Sequence, residues 1–171
     1  AGTVGGALVY VHRDGGRVVY MSGRAIAQKA HYNPPSELAG ERQPYVNAAY
    51  TRGASSLVIV EGQACAVTLG GWGIPALALA GSSATAALSE RLQQHVARGP
   101  VYVVPDSDGK TNVAALAEII GPEMAIITLP QEVKDVNDLA QSGTMAEDFH
   151  KLWEQAETWL ERLINEARAE Q

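Results

Sequence analysis

The chain predicts an α/β fold built around a parallel sheet flanked by helices, and three observations carry that prediction. Apolar runs recur at Leu57-Val58-Ile59-Val60, Val101-Tyr102-Val103-Val104 and Ala125-Ile126-Ile127-Thr128-Leu129. Segments of helical character separate them, and continuous runs of this length read as strands buried on both faces of a parallel sheet. Acidic residues follow each run closely: Glu61 after the first, Asp106 and Asp108 after the second, Asp135 and Asp138 after the third. Crossover connections bring the C-terminal ends of such strands to one edge, where ligands of open α/β sheets bind.

The elements follow from periodicity and chain breakers. Leu8 to His12 and Arg17 to Met21 are short β-rich runs flanking Arg13-Asp14-Gly15-Gly16, a hairpin signal, so a small antiparallel β-rich subdomain fragment precedes the parallel sheet. Arg24 to Thr51 reads as irregular, with Asn33-Pro34-Pro35 excluding a local helix. After the strand at Leu57–Val60, a helix runs from Glu61-Gly62 to about Gly70-Gly71, and a strand is expected over Ile74–Ala80. Ser82 or Ser83 is placed to cap a helix reaching about Arg98. Thr111 or Asn112 caps the next helix, Gly121-Pro122 ends it after Ile120, and Lys134-Asp135-Val136-Asn137-Asp138 reads as a turn. From Phe149 a stripe of Phe149, Leu152, Trp153, Ala156, Leu160, Leu163, Ile164 and Ala167 predicts one C-terminal amphipathic helix. Such a helix docks on its own sheet or meets a partner, Trp159 widening the apolar face.

Composition narrows the classes. With 171 residues, 46% of them hydrophobic and 19% charged, one core is affordable and two are not. No run of about 18 apolar residues marks a membrane span. Ala1 to Gly6 lack the basic-then-apolar pattern of a secretory signal, and the single Cys65 forms no internal disulfide, so a reducing cytoplasm is the expected compartment. The net charge of −6 conceals an asymmetry. In residues 1–52 the basic Arg13, Arg17, Arg24, Lys29, Arg42 and Arg52 face only Asp14, Glu37 and Glu41, a balance of +3 that leaves −9 for the remainder. The front third is either a solvated basic surface or one that meets phosphates.

The acidic edge suggests metal chemistry. Asp106 and Asp108, two residues apart in extended chain, point the same way and can bracket one cation, while Pro105 stiffens the strand exit. Carboxylates gathered in one place are costly without a positive charge among them, and a hard divalent cation is the natural occupant of an oxygen site. Gly62 and Gly109 permit close approach of a ligand to the backbone, or serve only as turn residues. Magnesium held by few carboxylates keeps positions open for phosphate oxygens.

Val60-Glu61-Gly62, the stretch from Gly73 to Gly81, Asp106-Ser107-Asp108, Leu129-Pro130 and Lys134-Asp135-Val136-Asn137-Asp138 resemble the ordered motifs of the Toprim domain of topoisomerases and primases. The segments Arg17–Arg24, His31-Tyr32-Asn33-Pro34-Pro35 and Arg42-Gln43-Pro44-Tyr45 are similar to the region preceding Toprim in bacterial-type DNA primases, including phage and plasmid versions. Together they cover about residues 8 to 140. The resemblance implies a partial N-terminal primase-core subdomain at 1–52, a Toprim domain at 53–143 and the C-terminal helix at 144–171. It implies a core that makes short RNA primers on single-stranded DNA from ribonucleoside triphosphates, with a replicative helicase as a further partner. Glu61, Asp106 and Asp108 would be catalytic and, with Asp135, Asn137 and Asp138, would bind Mg²⁺ or Mn²⁺ for a two-metal transfer. Arg24, Lys29, Asn33, Arg42, Gly62 and Gly81 would meet nucleotide or template. A zinc-binding module is expected upstream. The sequence departs from the family where Cys65 replaces a frequent aspartate and where a lysine before Arg42 is absent. A Toprim nuclease and a non-catalytic template-binding module are the alternatives.

Overall fold

The structure is a computed structural model that describes residues 6–28, 30–40, 42–50, 54–79, 86–96, 98–109 and 111–169. Lys29, Arg52, Gly81 and the cap expected at Ser82 or Ser83 lie outside the described residues.

The front of the chain forms the predicted hairpin. Strands β1 (Ala7–Asp14) and β2 (Arg17–Ala25) pair antiparallel with Asp14 opposite Arg17. Gly15 and Gly16 both take positive φ, 54° and 84°, the two-residue turn whose twist matches that of the strands. A bulge between His12 and Arg13 shifts the register. A short β3 (His31–Tyr32) adds to β2, placing His31 opposite Arg24. The one-turn helix α1 (Ser36–Ala39) follows Pro34-Pro35. Strand β4 (Tyr45–Val46) then leaves the front sheet and joins the larger one.

That larger sheet has the order β4-β6-β5-β7-β8-β9. Its centre is parallel: β5 (Leu57–Val60) lies between β6 (Ala76–Ala78) and β7 (Val101–Val104), and β7 pairs with β8 (Ala125–Ile126). Between them run α2 (Gln63–Gly71), α3 (Ala86–Val96) and α4 (Val113–Ile120), so the expected βαβαβαβ unit is present. The alternation of strand side chains sorts the core into two layers. Val58, Val60, Ala76 and Ala78 pack with Cys65, Ala66 and Leu69 of α2 on one face; Leu57, Ile59 and Leu77 pack with Leu88, Leu92 and Leu116 of α3 and α4 on the other. Asn112 caps α4 by accepting from the Ala115 amide at 3.0 Å.

Four local expectations are corrected. The ladder of β6 begins at Ala76 because Pro75 has no amide to donate, and that of β8 stops early because its neighbour β7 ends at Val104, ahead of Pro105. The segment read as a turn at 134–138 opens a helix, α5 (Val136–Gln141): Asp135 Oδ1 accepts from the Asp138 amide at 2.8 Å, and Asp138 Oδ2 from the Lys134 amide at 3.0 Å. The single C-terminal helix is two, α6 (Ala146–Glu154) and α7 (Trp159–Ala169), separated by the edge strand β9 (Glu157–Thr158), antiparallel to β8. Phe149 of α6 is fully buried against the α2 layer, whereas Trp159 packs on the opposite layer. The chain crosses from one face of the sheet to the other at β9, which one continuous helix cannot do.

Candidate active site

Strands β5 and β7 pair in parallel with Val60 beside Val104, so the residues that follow emerge side by side. From β5 the chain turns to β6 on one side, and from β7 to β8 on the other, which makes the β5/β7 crevice the switch point of the sheet. Glu61 and Asp106 stand there. Ligand atoms of Glu61, Asp106 and Asp108 all lie within 4.8 Å of one another. Asp106 and Asp108 are held by a tight turn in which the Gly109 amide reaches the Asp106 carbonyl at 3.3 Å, and Gly109 takes the left-handed φ of 71° that the turn requires.

Thr111 ties this group together, a role beyond the helix cap that its place in the sequence predicts. Its buried hydroxyl donates to Glu61 Oε2 at 3.1 Å and accepts from the Asp106 amide at 3.2 Å. Lys134 supplies the positive charge, with Nζ 3.8 Å from Asp106 Oδ2 and 3.7 Å from Asp135 Oδ2. Burial, reinforced by Glu61 and Asp135, pushes the Asp106 carboxyl up to about 6 against the opposing pull of Lys134. Burial likewise pushes the Cys65 thiol up to about 12, so the one soft ligand nearby keeps its proton. Three crowded carboxylates and a protonated thiol fit a hard oxygen-seeking cation such as Mg²⁺ or Mn²⁺.

A cavity of about 220 Å³ opens beside the acids, and the front sheet forms its other wall. Tyr10, Arg24 and His31 line it opposite Glu61, Asp106, Lys134 and Asp135, with Gly62 to Cys65 at the start of α2 between them. Strand parity explains why Arg24 arrives there: Tyr20, Ser22 and Arg24 share the inner face of β2. Ser22 docks that face. The fully buried His12 places Nδ1 2.7 Å from the Gln43 carbonyl and Nε2 2.9 Å from Ser22 Oγ, which is also 3.3 Å from Gln63 Nε2 of α2. A carbonyl only accepts, so Nδ1 donates; in the neutral ring Nε2 accepts from Ser22, and Ser22 accepts from Gln63. Tyr20 and Tyr45 pack edge-on against the His12 ring, at 5.2 and 5.4 Å between centroids. Neither His12 nor the buried Asn47, whose amide group bridges the Ala66 and Ile74 carbonyls at 2.8 Å each, stands in a sequence motif that marks it for a role.

The remaining sequence candidates divide. Asp135 lines the cavity and is the N-cap of α5, while Asn137 Oδ1 accepts from Thr68 of α2 at 3.3 Å and Asp138 Oδ2 accepts from the Lys134 amide at the start of that helix. Gly62 is part of the cavity wall with φ −98°, a conformation open to any residue, and a Cβ there would meet only Cys65 Sγ at 3.9 Å. Asn33 and Arg42 are exposed and are not among the residues lining the cavity.

No protein-family model matches the chain, and no curated protein matches it. Solved structures do. A structure of the DnaG catalytic core superposes with a TM-score of 0.73 at 22% identity, covering 96% of this chain and 57% of that one. The DnaG primase catalytic domain bound to single-stranded DNA matches with a TM-score of 0.73 at 24% identity, over 94% of this chain and 55% of that one. The Aquifex aeolicus primase, with zinc-binding and RNA polymerase domains, matches with 0.74 at 19% identity, over 96% and 43%. The fold is that of a primase catalytic core. The chain spans about half the length of these primase structures. Among the described residues no helix is long and apolar enough to cross a membrane.

Proposed function

We propose that the chain is the nucleotidyl-transferring core of a DNA primase, joining ribonucleoside triphosphates into short primers on a single-stranded DNA template in the cytoplasm. The observation that supports it best is the convergence of Glu61, Asp106 and Asp108 at the switch point of a primase-core fold, with Arg24 facing them across the cavity. Glu61, Asp106 and Asp108 are the residues that hold Mg²⁺ or Mn²⁺, and a divalent cation bound there supplies charge for the phosphate oxygens of a nucleotide. Thr111 orients Glu61 and the Asp106 loop. Arg24 presents a forked guanidinium suited to phosphate, and its place on the inner face of β2 brings it to the cavity. His31, paired opposite Arg24, adds a second donor at the same wall. Exposed Asn33 and Arg42, on the same front segment, are assigned to the template path.

Incubation with labelled ribonucleotides, single-stranded DNA and Mg²⁺ or Mn²⁺ tests this reading. Short oligomers are expected, reduced about a hundredfold or more by Asp106→Ala, the scale on which loss of a charge-stabilising group at a reacting centre is felt. A shortened template without oligomers would reassign the site to hydrolysis. Neither product, with template still bound, would make the chain a binding module.

A further inference from the structure

We infer that the acidic edge of this chain holds one divalent cation and that the ammonium of Lys134 occupies the place of a second. The inference rests on the reading of Glu61, Asp106 and Asp108 as cation ligands. Asp106 stands between two groups of acids. On one side are Glu61 and Asp108, with ligand atoms of all three inside 4.8 Å. On the other is Asp135, and a second cation bridging Asp106 and Asp135 would need the two oxygens that Lys134 Nζ already faces, at 3.8 and 3.7 Å.

Lys134 is held for this position by its backbone. Its carbonyl accepts from the Ser107 amide at 2.9 Å, inside the Asp106–Asp108 turn, and its amide donates to Asp138 Oδ2 at 3.0 Å. The other acceptors around Asp135 are engaged as well. Asp135 Oδ1 receives the Asp138 amide and Asn137 Oδ1 receives the Thr68 hydroxyl, so the ligands that a second ion would recruit already serve the start of α5 and its contact with α2. A lysine ammonium is a compact point charge with three donors, able to neutralise two carboxylates where a hexacoordinate ion would lack ligands.

Counting bound Mn²⁺ by electron paramagnetic resonance tests the inference without reference to activity. The chain is expected to bind one Mn²⁺, Lys134→Met two, and Lys134→Arg one. The Lys134 side chain is 58% exposed, so the neutral variant is expected to fold, which circular dichroism verifies. Adding Asp135→Asn to Lys134→Met should return the count to one. Two ions in the unaltered chain, or one in Lys134→Met, would overturn the inference while leaving the cation site standing. No bound ion in the unaltered chain would overturn the reading of Glu61, Asp106 and Asp108 themselves.

Discussion

Every residue of β5 is buried, whereas β1 alternates, with Tyr10 and His12 facing inward and Val9 58% exposed on the outer side. On β2 the same outer face carries Val19 and Met21, also exposed. The two sheets therefore hold their functional residues by different means. The parallel sheet is packed between two helical layers, and its acids sit at the ends of strands buried on both faces. The front sheet is packed on one face only, through the His12–Ser22–Gln63 hydrogen bonds and the rings of Tyr10, Tyr20 and Tyr45. Arg24 and His31 reach the cavity from that one-sided sheet, while Glu61 and Asp106 reach it from the parallel one.

The largest expected contrast is between equivalent truncations in the two sheets. Ile59→Ala, at a fully buried position, should cost roughly 2–5 kcal/mol in urea unfolding, and Met21→Ala, at an exposed one, less than about 0.5 kcal/mol. Equal costs would mean that the outer face of the front sheet is covered in solution.

Acid–base behaviour separates the acidic edge from the seam next. The folded Asp106 carboxyl titrates at about 6 instead of its ordinary 3.8, so between those values the folded chain binds more protons than the unfolded one. Metal-free stability should then fall as pH rises through that window, by about 2–3 kcal/mol from this group. Melting curves in chelator from pH 4 to pH 7 check this, and Asp106→Asn should flatten them. A metal-free chain that gains stability toward neutrality, with the same slope in the Asn variant, would remove Asp106 as the cause.

The smallest of these effects is expected at the seam. His12→Ala leaves the Ser22 hydroxyl and the Gln43 carbonyl without the ring, which should cost about 1–2 kcal/mol. Because Arg24 lies two residues beyond Ser22, template affinity should fall with it, while Mn²⁺ binding stays as it was. Loss of metal binding in this variant would show that the two sheets hold the site as one unit.

Much of this was legible in the sequence because buried parallel strands are written as uninterrupted apolar runs and their C-terminal ends are constrained to one edge. Glu61, Asp106, Asp108 and Asp135 could therefore be named from position alone. The break after α6 was harder to see. The apolar spacing continues through Ala156 because the segments before and after it both pack on the core, on opposite layers. The signal that separates them is a capping box: Thr158 Oγ1 accepts from the Glu161 amide at 3.2 Å, and Glu161 Oε2 from the Thr158 amide at 2.9 Å. Polar residues inside the molecule were harder still. His12, Asn47 and Thr111 have no pattern of their own, since each acts through partners distant in the chain, such as Gln43, Ile74 and Glu61.

By itself the sequence determined the front hairpin, the central alternation of buried strands and helices, and the set of acids, because local propensity and hydrophobic period act over a few residues. Tertiary structure alone decided that Thr111 would bind Glu61, that Lys134 would lie between Asp106 and Asp135, and that Arg24 would face them across the cavity. Those are contacts between separate strand ends and separate sheets, and the distances that set their electrostatics exist only once the strands are side by side.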